Sequence, residues 1–259
     1  MGLRVCERRV SRCGFSLLEL LVVVAVIAVL ISIAVPAFSH VRAAGRAAVC
    51  ASNLKQVGHA VTAYHNGNNG RFFRYYRDED AGRSWWFGFE AGGAGSGTGR
   101  VVDRTRSPLY GELGGGVGGL MCPSFDYEDP MLYPKFSEPT ASYGYNLHLG
   151  PANAGMGVAT IDRLPTPGQT MTFADAIHFD HNPGYNEGHY VLWNANPVFA
   201  SGYGHYRHGD RANVLFADGH AGPVGLPAGV GIHSEEGGGA AANLSVAAGK
   251  DVFYGLNLR

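Results

Sequence analysis

Between Leu20 and Phe38 the chain runs for 19 residues, "LLVVVAVIAVLISIAVPAF", without a charged side chain. At 1.5 Å per residue such a helix is about 28 Å long, which matches a bilayer core about 30 Å thick. It exceeds the roughly 7–15 apolar residues of a secretory signal. The run therefore predicts one membrane-spanning helix. Before Gly14 stand four arginines and one glutamate, and a positive flank of this kind stays in the cytoplasm. The expected topology is single-pass in the cytoplasmic (inner) membrane, with the N-terminus cytoplasmic and the remainder extracytoplasmic. One residue does not fit a plain anchor. Glu19 stands at the head of the run, and a carboxylate at the centre of a spanning helix costs about 2.5–3.5 kcal/mol. It either has a partner or snorkels to the interface.

The order is a basic leader, Gly14, Phe15, three residues, Glu19, then the apolar run. It resembles the type IV prepilin signature, and the likeness extends over residues 1 to about 65. The resemblance implies that a prepilin peptidase cuts between Gly14 and Phe15 and methylates the new amine of Phe15. It implies that Glu19, fifth in the mature chain, pairs with the N-terminal amine of a neighbouring subunit. It also places Pro36 where the family often carries a helix-kinking proline.

The helical pattern outlasts the membrane run. Ala43, Ala47, Cys50, Leu54, Val57, Val61 and Tyr64 recur at alternating steps of four and three, the spacing of one helical stripe. "HNGNNG" (65–70) then supplies the asparagine and glycine of a helix stop. The expected divisions are a leader at 1–14, a transmembrane helix at 15–38, its amphipathic continuation at 39–66 and a β-rich head at 67–259. The fold class is α+β: a long N-terminal helix packed on a β-rich head, the architecture of a pilin or pseudopilin. The stripe alone also fits a coiled-coil stalk.

With 259 residues and a net charge of −1, the chain has no basic stripe for nucleic acid. Glycine-rich stretches at 90–99, 111–119 and 236–241 read as loops. Cys6 and Cys13 precede the implied cut. Cys50 and Cys122 lie beyond the membrane, where disulfides persist, so they are either one disulfide or two buried thiols.

In the head, 170–176 and 212–224 read as strands, the second interrupted by Asp218–Gly219, an expected type I′ hairpin turn. His208, nine residues, then Asp218 and Gly219 resemble the C-terminal signature of a large group of pilin-like proteins. "CASNLKQVGHAVTAYHNGNNGRFF" (50–73), "CPS" (122–124) and "SYGYN" (142–146) look like the same group. Asp175 and Asp218 occupy equivalent ends of two strands. With His208 they form either a hydrogen-bonded turn or a metal site, and calcium is the cation that carboxylates would suit. The straight-strand distance favours separate tasks for the two signature residues: Asp218 in its turn, His208 with another partner such as Asp175. His178, Asp180, His181, Glu187 and His189 match no closed zinc spacing and read as a solvated loop. "RFFRYYRDEDAGRSWWFGFE" (71–90) is either a set of core strands or an aromatic, arginine-rich surface for polysaccharide. A nucleophile elbow, P-loop or zincin pattern is lacking. The expectation is therefore a structural subunit and not an enzyme. Its partners would be a prepilin peptidase, other pilin-like subunits, an assembly platform and the membrane. An anchored carbohydrate-binding module, or a metal-dependent hydrolase, is the rival reading.

Overall fold

Helix α1 spans Leu17–Gly67 and opens directly after Ser16. The computed structural model describes residues 16–92, 99–115, 120–129, 132, 134–146, 149–151, 160–179, 185–186, 191–192, 203–225, 233–235 and 239–242. The chain falls into two compact units, Met1–Arg42 and Ala43–Arg259. In the first, the apolar side chains of α1 from Leu17 to Val41 are exposed along the helix. Ser32 and Ser39 return their hydroxyls to the carbonyls of Val29 and Pro36, each at 2.7 Å. Both polar groups are thus satisfied within the helix that carries them. Pro36 lies inside the helix and, lacking an N–H, leaves the Ser32 carbonyl without its helical donor.

In the second unit the helix buries Cys50, Leu54, Val57 and Val61, the expected stripe. Ala43 is exposed and Ala47 only half-buried, so the packed face begins at Cys50. Gly58, Ala60 and His65 join that face, although no stripe of large apolar residues announces them. Gly58 is there because of close approach: a Cβ on it would stand 2.8 Å from the Leu215 Cδ1 atom. The helix ends where Asn68 and Gly70 both donate to the His65 carbonyl, at 3.1 and 2.8 Å. Asn69 and Gly70 turn left-handed with φ of 54° and 70°, which these two residue types tolerate best.

A three-stranded antiparallel meander follows: β1 (Tyr76–Glu79), β2 (Gly82–Trp85) and β3 (Gly88–Ala91). Among the described residues the larger sheet has nine strands: β4 (Tyr143–Asn146), β5 (Met171–Phe179), β6 (Tyr185–Asn186), β7 (Val191–Leu192), β8 (Tyr203–Tyr206), β9 (Arg211–Phe216), β10 (Ala221–Gly225), β11 (His233–Glu235) and β12 (Gly239–Ala242). Its pairings are antiparallel except β4 with β7. β5 is the hub. It pairs with β4 through Phe173–Asp175, with β9 through Met171–Ala174 and with β8 through Ala176 and Ile177. The chain is thus α+β and pilin-like: one long N-terminal helix, then a β-rich head.

The β9–β10 hairpin falls where Asp218–Gly219 predicts, but its turn is of another type. Among the described residues only Gly219 in that loop has positive φ, 91°. A type I′ turn needs two such residues. Gly219 donates to the Phe216 carbonyl at 3.0 Å and Phe216 to that of His220 at 2.9 Å. This is a three-residue loop, a type I turn closed by a left-handed glycine, so Asp218 keeps negative φ.

Candidate functional site

Among the described residues, two places carry side chains whose chemistry is not explained by packing. The first is the head of α1. Gly14 and Phe15 lie outside the described residues. The Ser16 N–H and hydroxyl both donate to the Glu19 Oε2, at 2.8 and 2.9 Å, and the Glu19 N–H donates back to the Ser16 Oγ at 3.2 Å. This reciprocal arrangement is a capping box. Its signature, Ser-x-x-Glu ahead of an apolar run, stands in the sequence as "SLLE". Glu19 therefore has a partner within its own chain before any second chain is considered.

The second place is in the head. Asp175 sits on β5 between the stretch paired with β9 and the stretch paired with β8. The residues joining β8 to β9 bring Arg207 and His208 to it. His208 Nε2 lies 3.2 Å from Asp175 Oδ2, and Arg207 Nε lies 3.7 Å from Oδ1. The Asn213 backbone N–H donates to Oδ2 at 2.7 Å. From α1, the Cys50 sulfur lies 3.3 Å from Oδ1. Cys122 completes the group, its Sγ 3.5 Å from His208 Nε2. Its backbone N–H is held by the Ser142 hydroxyl. The Tyr143 hydroxyl contacts both the carbonyl and the sulfur of Cys50 at 3.2 Å. One donor atom from each of Cys50, Cys122, Asp175 and His208 lies within 4.8 Å of the others. Both cysteines are buried free thiols.

The environment divides the protons of this cluster. Burial pushes the Cys50 thiol up. A hydrogen bond from Cys50, with another from His208, brings Cys122 down to about 5 against the cost of burial. Burial also opposes charge on His208, but its bonds to Asp175 and Cys122 prevail and raise it to about 9. Burial pushes His205 well down, helped by the neighbouring Arg207 and His208 charges. The guanidinium of Arg207 rests over Phe125 at 4.8 Å and donates to the Ala176 carbonyl at 2.7 Å.

Asp218 does not join this group. β5 and β9 are neighbours, but they run antiparallel with Met171 opposite Phe216. The Asp218 end of β9 therefore lies past the start of β5, while Asp175 sits further along it. Asp218 binds its own turn instead: Oδ1 accepts from the His220 N–H at 3.1 Å and meets its ring Nδ1 at 2.6 Å. Of the two signature residues, His208 goes to Asp175 and Asp218 to the hairpin. Sequence reasoning missed Ser16, Tyr143 and Arg207 as partners. Only Ser16 had a readable signal.

The aromatic segment turns inward. Phe72, Phe73, Trp85, Trp86, Phe87 and Phe89 are all buried. Trp86 meets Phe173 edge-on at 4.9 Å, and Phe73 stacks on Tyr145 at 4.5 Å. The Trp85 indole N–H donates to Glu90 at 3.0 Å, and both oxygens of Glu90 are held by Arg100 at 2.5 Å. These six rings serve the core, while Tyr75 and Tyr76 of the same segment are half-buried. Of the histidine-rich group, Asp180, His181, Glu187 and His189 lie outside the described residues. His178 is on β5, opposite Asn186.

Residues 9–35 match the family model described as the prokaryotic N-terminal methylation motif. The matched segment contains Gly14, Phe15 and Glu19 and ends within the apolar run. No curated protein and no solved structure matches the chain.

Proposed function

We propose that this type IV prepilin-like chain is a membrane-anchored structural subunit of a pilus or of a type II secretion-like system. One observation carries the reading: the methylation motif at residues 9–35 holds glycine, phenylalanine and glutamate in prepilin order and leads straight into an apolar helix. Prepilin peptidase cleaves between Gly14 and Phe15 and methylates the Phe15 amine. The leader's arginines hold the N-terminus in the cytoplasm, and the head then faces the extracytoplasmic side. The exposed apolar side chains from Leu17 to Val41 find lipid first and the helices of other pilin-like subunits afterwards. Helix association of this kind is driven by packing and hydrogen bonding, which gives Glu19 a second use as partner of a neighbouring Phe15 amine. The role is structural, not catalytic.

The test is the intact mass of protein extracted from membranes. The expected species begins at Phe15 and carries one added methyl group. A full-length, unmethylated chain in cells that process other prepilins overturns the reading.

A further inference from the structure

The proposed helix-driven assembly makes no use of the cluster of Cys50, Cys122, Asp175 and His208, and the donor set of that cluster is unusual for a core. Two sulfurs, one imidazole nitrogen and one carboxylate converge from α1, from the segment after Leu120, from β5 and from the β8–β9 connection. A tetrahedral ion bound at about 2.3 Å to sulfur and about 2.0 Å to nitrogen or oxygen holds its ligands about 3.3–3.8 Å apart. In the cluster Cys50 Sγ lies 3.3 Å from Asp175 Oδ1, Cys122 Sγ 3.5 Å from His208 Nε2, and His208 Nε2 3.2 Å from the other Asp175 oxygen, Oδ2, and with one donor atom from each residue the four lie within 4.8 Å of one another.

Charge fits as well as distance. Two thiolates, one carboxylate and a neutral imidazole carry three negative charges. A divalent cation leaves one, and the guanidinium of Arg207, 3.7 Å from Asp175, neutralises it. These groups are deeply buried, with side-chain exposures of 4% for His208 and 0% for Asp175, so an ion held among them is shielded from water. The outer contacts are those that hold ligands in place: the Tyr143 hydroxyl on the Cys50 sulfur and the Asn213 N–H on Asp175.

We propose that Cys50, Cys122, Asp175 and His208 form a closed, structural zinc site that fastens α1 to the large sheet. The donors select the metal. Calcium and magnesium take oxygen ligands, and this set offers only one carboxylate, whereas thiolate with imidazole suits zinc. Four protein ligands leave no open position, so the site has the character of a clasp and not of a reaction centre.

The experiment uses the detergent-extracted full-length chain, reduced and stripped with a chelator, then titrated with Zn²⁺ or Co²⁺ alone. The expected result is one ion per chain and a rise in melting midpoint, because the ion binds only the folded state. The cobalt form should show a thiolate-to-cobalt charge-transfer band and the intense visible bands of tetrahedral coordination. His208→Ala should lose the bound ion. Because the wild-type spectrum reads the ligands directly, a variant that fails to fold does not weaken the test. Two outcomes overturn the proposal. One is a reduced wild-type chain that binds neither ion stoichiometrically. The other is a Cys50–Cys122 disulfide in protein isolated without reductant.

Discussion

At the scale of single residues, Glu19 has two uses that can be separated. In the single chain it caps its helix through Ser16, and in the proposed assembly it meets a neighbour's amine. Ser16→Ala removes the cap, at a cost of about 1 kcal/mol, but keeps the carboxylate. Glu19→Ala removes both. Co-purification of tagged with untagged subunits should therefore survive Ser16→Ala and fall in Glu19→Ala. Equal loss in the two variants would mean that capping is the whole of Glu19's task. His65 gives a second prediction. Its ring is buried edge-on against Phe72 at 4.6 Å, and burial depresses its pKa below the ordinary 6.5. The unfolded chain then binds a proton that the folded chain refuses, so stability falls as pH drops below about 6.5. Replacing His65 with Phe should flatten that acid-side decline in the melting midpoint. An unchanged slope would assign the decline to other groups.

At the scale of elements, Gly58 decides how closely α1 lies on β9. Gly58→Val drives a side chain into Leu215 and should cost about 1–3 kcal/mol by overpacking. Gly45→Ala, with nothing within 4 Å, should stabilise the helix by about 0.5–1 kcal/mol. Thermal melts of the two variants should move in opposite directions. These glycines mark the limit of what the sequence discloses. Helical period made the Cys50–Val61 face readable, and "HNGNNG" made the helix end readable, because both are local. Gly58 was invisible, since its value depends on a strand more than 150 positions further along. The turn at Asp218–Gly219 was placed correctly and given the wrong type, because dipeptide chemistry marks a reversal without counting the residues in its loop. Cys50 with Cys122, and Asp175 with His208, were each noticed as pairs. Their union needs the β5 register that seats Asp175 between its β9 and β8 partners, and no periodicity encodes that.

At the scale of the whole molecule, the N-terminal motif and the head answer to different tests. Gly14→Val should leave a membrane-inserted precursor of full length, because a side chain there obstructs entry to the peptidase. Mature-sized protein from that variant would return the chain to a plain anchor. The head should be indifferent to this change, with the same melting midpoint in both forms. Within the head, the four-residue cluster also sets an order of events. Cys50 meets Asp175 across 125 positions and Cys122 meets His208 across 86. Contacts of such span close slowly, because long loops must be ordered before the contact rewards it. The cluster is consequently a clock for folding. During refolding, pulses of a thiol-alkylating reagent should find Cys50 and Cys122 open through the early phases. Both should become shielded together in the last phase, when the helix docks and the sheet is already paired.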